Sequence, residues 1–207
     1  MLFRRQTVFV LIILLVLSIQ QPVSVAAAQI NFYDNQIGVT ILVESNDSKL
    51  LDAANQIKSV INSFKYPIDV IYADEIFDIV RVEKTSNSLA LIYLFHGDER
   101  GIKDPSLSWK ELASMISMSK VKNHIIMACY SSNTMRYISG SKNIYFINGT
   151  IDIEIAKLEA LGRISQILNS STNPKFKKIG QDIYTYVRDY TIDNFHQILV
   201  RLLIPID

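Results

Sequence analysis

The chain has 207 residues, 49% hydrophobic and 20% charged, with a formal net charge of +1. That balance argues against a disordered chain and against nucleic-acid binding driven by bulk basic charge, and it is enough to build one globular domain with its own core. With no internal repeat, low-complexity tract or second domain in the pattern, function has to come from a local site.

In chain order, Arg4 and Arg5 precede an almost unbroken apolar run over 8–17 that Pro22 ends, and Ala26-Ala27-Ala28 then supplies a small-x-small pattern. These features predict an export signal over 1–28 and a mature single domain over 29–207. The run is short for a membrane span of about 20 residues. A secreted or extracytoplasmic protein is therefore expected, and an uncleaved anchor is the alternative. Three sequons, starting at Asn46, Asn148 and Asn169, suit export, although such triplets also arise by chance.

Residues 37–43 are rich in β-branched types and predict a first strand. Helical spacing of Leu50, Leu51, Ala54, Ile57, Val60, Ile61 and Phe64 predicts a helix over 49–64, capped by Asp47 or Ser48. Pro67 precedes a second strand over 68–72, and 74–82 reads as a short helix. Residues 89–95 are fully apolar, as expected for a strand covered on both faces. Ser106 or Ser108 can cap a helix running to about Met118, with Trp109, Leu112, Ile116 and Met115 turned inward. Strands over 122–127 and 143–147 follow. Helical patterns over 151–168 and 175–203 close the chain, separated by Asn173-Pro174. Strands alternating with helices imply right-handed crossovers and an α/β fold with a parallel sheet.

Two of the apolar runs end in reactive residues. His96-Gly97 follows 89–95, and Cys129 follows 122–127. Adjacent parallel strands would deliver the imidazole and the thiol to one carboxyl edge, where open α/β sheets place their chemistry. An exported domain with one cysteine has no internal disulfide, so Cys129 is a buried inert thiol, an intermolecular link or a nucleophile. Its place after a strand, matched by that of His96, favours the nucleophile. His124, inside the fourth strand, reads as a packed or edge residue, and His196 as a surface or boundary residue on the last helix. Asp98-Glu99 and Asp152 with Glu154 read as solvated loop charges, and Tyr184, Tyr186 and Tyr190 as aromatics packed onto the sheet. No histidine or carboxylate spacing supports a metal site.

The segments Phe95-His96-Gly97-Asp98-Glu99-Arg100-Gly101-Ile102, Leu107-Ser108-Trp109-Lys110-Glu111-Leu112 and Met127-Ala128-Cys129-Tyr130-Ser131-Ser132-Asn133-Thr134-Met135 resemble the caspase-hemoglobinase fold of cysteine peptidases. The similarity is greatest to the branch of legumain and the GPI-transamidase catalytic subunit. It covers 89–135, under a quarter of the chain. It implies a caspase-like three-layer α-β-α sandwich with a mostly parallel sheet. It also implies a cysteine endopeptidase acting on protein or peptide substrates, with Cys129 as nucleophile, His96 as acid/base, the N–H groups of Gly97 and Cys129 as the oxyanion hole, and no cofactor. The chemistry suits these residue types: a thiol needs a neighbouring base to become thiolate, and a glycine lets substrate approach the backbone closely. Met127, Glu44 and Ser131 are expected at the substrate.

The chain also departs from that family. Met127 stands where relatives carry Glu, Asp or Gln, and residues 44–47 lack the arginine that caspases and legumain use there. Both features argue against Asp or Asn specificity, whereas Glu44 or Asp47 could favour a basic P1 residue. The separation of 33 residues from His96 to Cys129 is short for this family, and Ile147 leads almost at once into a helix, which predicts a truncated groove. A binding or regulatory protein that kept the pair without turnover is the second reading, and a transpeptidase the third.

Overall fold

The computed structural model describes residues 38–203; the expected export signal lies outside the described residues. The elements run β1 (Val39–Val43), α1 (Ser48–Ser63), β2 (Ile68–Tyr72), α2 (Ile76–Thr85), β3 (Ala90–Leu94), β4 (Gly101–Ile102), β5 (Leu107–Ser108), α3 (Trp109–Met118), β6 (Asn123–Met127), a 3-10 helix (Ser131–Arg136), β7 (Asn143–Phe146), α4 (Ile153–Asn169), α5 (Pro174–Asp193) and α6 (Phe195–Leu203). Five strands make one sheet in the order β2-β1-β3-β6-β7, and every neighbouring pair is parallel. The expected three-layer α/β architecture is what the chain adopts.

Burial follows from the sequence. The central strands β1, β3 and β6 are buried at every position, whereas the edge strands β2 and β7 are largely half-buried or exposed. On one face Leu42, Leu91, Tyr93 and Ile126 pack against Ile79 and Val82 of α2 and Trp109, Leu112 and Ile116 of α3. The other face is covered by α1 and α4, whose Ala54, Ile57, Ile61, Leu161 and Ile164 are buried, and α5 packs on α4. Local chemistry sets the helix starts. Asp47 caps α1, Ser108 and Glu111 form a capping box at α3, Asp152 caps α4, and Asn173 caps α5 with Pro174 in its first turn.

Several boundaries differ from expectation. The short helix begins at Ile76 rather than 74, and the last helical stretch is broken at Asn194, which caps α5 at its C-terminus. The β4–β5 hairpin and the 3-10 helix were not predicted. The α5 tyrosines do not pack on the sheet as a group: Tyr186 is exposed and stacks on Tyr190, over which the Lys157 ammonium sits at 5.2 Å.

A buried polar chain crosses the face covered by α2 and α3. The Tyr93 hydroxyl is hydrogen-bonded to Glu83 Oε1 and lies 3.0 Å from His124 Nδ1, while His124 Nε2 lies 3.0 Å from Val121 O. Burial pushes the Glu83 carboxyl up and the His124 imidazole down to about 4, so both favour their neutral forms. Between pH 4.5 and 6.5, the ordinary values of the two groups, the unfolded chain carries one proton on this pair, on the histidine. In the folded chain the histidine is neutral there, and the upward shift of Glu83 lets it hold a proton to higher pH than in the unfolded chain, so the two contributions to the pH slope oppose each other. Glu83→Gln leaves only the histidine: the unfolded variant binds a proton there and the folded variant does not. Its unfolding free energy in urea is expected to fall more steeply than that of wild type as pH drops through that window, with a slope of at most about 1.4 kcal/mol per pH unit. A pH-independent difference would mean that His124 is charged in the folded protein.

Candidate active site

The site is assembled where β1, β3 and β6 end. Leu94 pairs with Met127 in the parallel ladder, and continuing that register by two residues sets His96 opposite Cys129. The chain segments meet there: a Cβ added to Gly97 would lie 2.5 Å from the Cys129 carbonyl oxygen and 3.2 Å from the Trp109 ring. Only glycine permits that approach. Cys129 is half-buried, and the His96 side chain is 54% exposed.

Beyond β3 the chain is held by the β4–β5 hairpin. Asp98 N–H donates to Gly101 O at 2.9 Å and Lys103 N–H to His96 O at 3.0 Å, flanking a bridge between Gly97 and Ile102. A residue between two such bonds turns its own N–H and C=O away from the partner strand. The Gly97 N–H therefore points out of this ladder. Trp109 Nε1 donates to Asp98 O at 2.9 Å, which ties the loop to the start of α3. Gly101 is also required, since a Cβ there would meet Leu107 O at 2.1 Å.

Beyond β6 the turn is strained. Tyr130, directly after Cys129, adopts the left-handed conformation (φ 59°, ψ 17°), and its N–H donates to Gly149 O at 2.7 Å. A non-glycine residue in this region costs roughly 1–2 kcal/mol, and such strain clusters at functional turns. It leads the chain sharply out of the strand into the 3-10 helix.

Asp47 was expected as a helix cap, and it is also the partner of His96. Its Oδ1 accepts from Lys49 N–H at 2.7 Å and Leu50 N–H at 2.9 Å, while His96 Nε2 lies 2.9 Å from Oδ2. The hydrogen bond from His96 and those from Leu50 and Lys49 hold the Asp47 carboxyl below its ordinary value. An ionised carboxylate only accepts, so Nε2 carries the proton and Nδ1 is the basic nitrogen of the neutral ring. Sequence spacing gave no sign of this pairing, because the partners are 49 residues apart.

The remaining candidates fall in different places. Glu44 is 7% exposed at the end of β1 and accepts the His96 N–H at 3.4 Å; burial pushes its carboxyl up, and the charges of Asp104 and Asp47 add to that. Met127 is buried within β6. Ser131 corrects the expectation of a substrate contact. It is fully buried, and its hydroxyl donates to Ile126 O at 3.0 Å and accepts from Ile147 N–H at 2.7 Å, which joins β6 to the end of β7 behind Cys129. Asn133 Nδ2 donates to Glu99 O at 3.1 Å, tying the 3-10 helix to the His96 loop. His124 is buried and packed, and Asp98 accepts from Arg100 N–H and Gly101 N–H within its turn. Among the described residues no group of three or more metal-ligating side chains occurs, and no helix is long and apolar enough to cross a membrane. Neither models of known protein families nor the curated proteins give a match to this chain.

Two substitutions probe this geometry. Asp47→Ala is expected to lose about 1 kcal/mol with the cap, whereas Asp47→Asn, which retains a capping oxygen, stays within about 0.5 kcal/mol of wild type in urea denaturation. Gly97→Ala drives a methyl into the Cys129 backbone and is expected to cost about 1–3 kcal/mol, as overpacking does, with Cys129 then reacting with thiol reagents in the native state at a changed rate.

Proposed function

We propose that the domain is a cysteine endopeptidase with Cys129 as nucleophile and His96 as its acid/base. The observation that carries this reading is the contact of Gly97 with the Cys129 backbone at the ends of two parallel strands in register. His96 Nδ1, left basic by the Nε2 contact with Asp47, takes the thiol proton as Sγ attacks the scissile carbonyl carbon. The carbonyl electron pair moves to oxygen, which the N–H groups of Gly97 and Cys129 receive. Collapse expels the amine, which leaves with the proton from His96. Water then attacks the thioester through the same imidazole, and the acid departs as the thiol is restored. No step requires a cofactor.

The substrate we infer is a protein or peptide with a basic P1 residue. The charges of Asp104 and Asp47 both reach Glu44 beside His96, and a cationic side chain would relieve that repulsion. An export signal over 1–28 would place this activity outside the cytoplasm.

One observation favours the reading of a binding or regulatory protein that retains the pair without turnover. Only residues 147–152 separate β7 from α4, which leaves little chain to wall a substrate groove.

Labelling separates the two. A peptidyl acyloxymethyl ketone with Arg at P1 is expected to consume one equivalent of native thiol at neutral pH, at least about tenfold faster than its Asn counterpart. His96→Ala and Asp47→Asn are expected to slow labelling by about 10²-fold or more, the first by removing the base and the second by favouring the wrong tautomer. Labelling only after denaturation would overturn the peptidase. Native labelling without cleavage across a peptide library would select the binding protein.

A further inference from the structure

On the sheet face covered by α2 and α3, a cleft of about 260 Å³ runs between these helices, lined by Val80, Glu83 and Lys84 on one side and Glu111, Ser114, Met115 and Met118 on the other. Its lining is mainly apolar, and the two thioether side chains, each with three rotatable bonds, make an adaptable wall. Met118 is exposed on its rim.

Glu83 is 2% exposed, and its Oε2 is buried with no hydrogen bond within 3.5 Å among the described residues; the Ser119 hydroxyl, which donates to Glu83 O at 3.1 Å, lies near enough to favour the carboxylate form. A buried carboxyl oxygen without a donor is costly. Its other oxygen is engaged by Tyr93, whose hydroxyl also meets His124 Nδ1. Val121 O can only accept, so His124 Nε2 carries a proton. That leaves two protons for the two contacts of the chain. In the neutral arrangement Glu83 donates to Tyr93 and Tyr93 to His124. In the charged one Tyr93 donates to a Glu83 carboxylate and a protonated His124 Nδ1 donates to Tyr93. Lys142, whose charge reaches both Glu83 and His124, holds its ammonium on Ser119 O and Val121 O. Lys84 and Glu111 are the other charged groups facing the cleft.

We propose that this cleft is a second binding site, for an ammonium on a short apolar chain, which donates to Glu83 Oε2 and lays its hydrocarbon against Val80, Met115 and Met118. Binding draws the chain into its charged arrangement. The Glu83 proton moves to the Tyr93 oxygen, the Tyr93 proton moves to His124 Nδ1, and no proton enters or leaves the protein. A free amine and a lysine side chain share this chemistry. The site is independent of Cys129 and His96, so it stands or falls apart from the peptidase reading.

The test is a titration of the full chain with n-hexylammonium, n-hexanol and Nα-acetyl-lysine methylamide, followed by ¹⁵N NMR of the histidine rings. Saturable binding of an ammonium compound, with the His124 Nδ1 signal moving from the unprotonated to the protonated range, is the expected result. Tighter binding of hexylammonium assigns a free amine, and tighter binding of the lysine derivative assigns a side chain. Glu83→Gln is expected to weaken binding at least about tenfold, as loss of a charged hydrogen-bond partner does. Met118→Lys, at an exposed position that spares the fold, is expected to weaken it several-fold. Hexanol binding equal to hexylammonium, unchanged affinity in a folded Glu83→Gln, or no shift of His124 on saturation would each overturn the proposal and leave Oε2 to an ordinary buried water.

Discussion

The parallel register of β3 on β6 is the constraint on which the candidate site depends. Side chains alternate between sheet faces, so a slip of one residue would carry Cys129 to the face opposite His96. The apolar cores of the two strands, Leu91 to Leu94 and Ile125 with Ile126, are buried on both faces, and hydrophobic burial alone tolerates such a slip poorly but does not forbid it. A polar peg removes the ambiguity. Asn123 Nδ2 donates to Leu89 O at 2.8 Å, and Asn143 Nδ2 donates to Asn123 Oδ1 at 3.0 Å. A slipped pairing would strand these amide groups in the interior, at a cost beyond that of the apolar mismatch. At the other end of the strands, the close approach of Gly97 to Cys129 sets the same register from the carboxyl edge.

How much of this was legible in the sequence depends on the range of the interaction. The five strands and the cores of α1 and α3 were readable because burial on a strand or a helix imposes a period on consecutive residues. The caps at Asp47 and Ser108 were readable because their donors lie within three residues. Strands β4 and β5 have two residues each, too few to show a period, and the 3-10 helix after Cys129 carries no apolar stripe. The Asp47–His96 contact joins a helix start to a strand end, and the occupied hydroxyl of Ser131 joins Ile126 to Ile147. Such pairings exist only once the sheet order β2-β1-β3-β6-β7 is set, and no local pattern encodes it. The second face held a further surprise. Tyr93 and His124 read as ordinary strand residues, yet they form a proton-sharing chain with Glu83 of α2.

The two faces of the sheet thus solve different problems. The side under α1 and α4 is closed mainly by aliphatic packing, with Lys157 compensated by Gln56 Oε1 at 2.6 Å and Glu154 Oε2 at 2.7 Å. The side under α2 and α3 accepts three titratable groups in its core and balances them by sharing protons rather than by pairing full charges. That arrangement avoids the desolvation of an ion pair. It also leaves Glu83 Oε2 unsatisfied, because each proton in the chain is already committed to a contact.

Asp47 carries a further consequence for His96. One carboxylate oxygen receives two backbone N–H groups at the start of α1 and the other receives the imidazole. The helix terminus presents about half a positive charge to the same carboxylate, so its negative charge is partly answered before the imidazole meets it. What the contact retains in full is direction: Nε2 must be the protonated nitrogen, and the ring is held at a fixed angle by a residue that is itself locked into the helix. Asp47 is therefore better suited to orienting His96 than to stabilising a charge on it. Because the cap and the ring contact share one side chain, the position of the imidazole is tied to the folding of α1, a helix that reaches the candidate site only through its first turn.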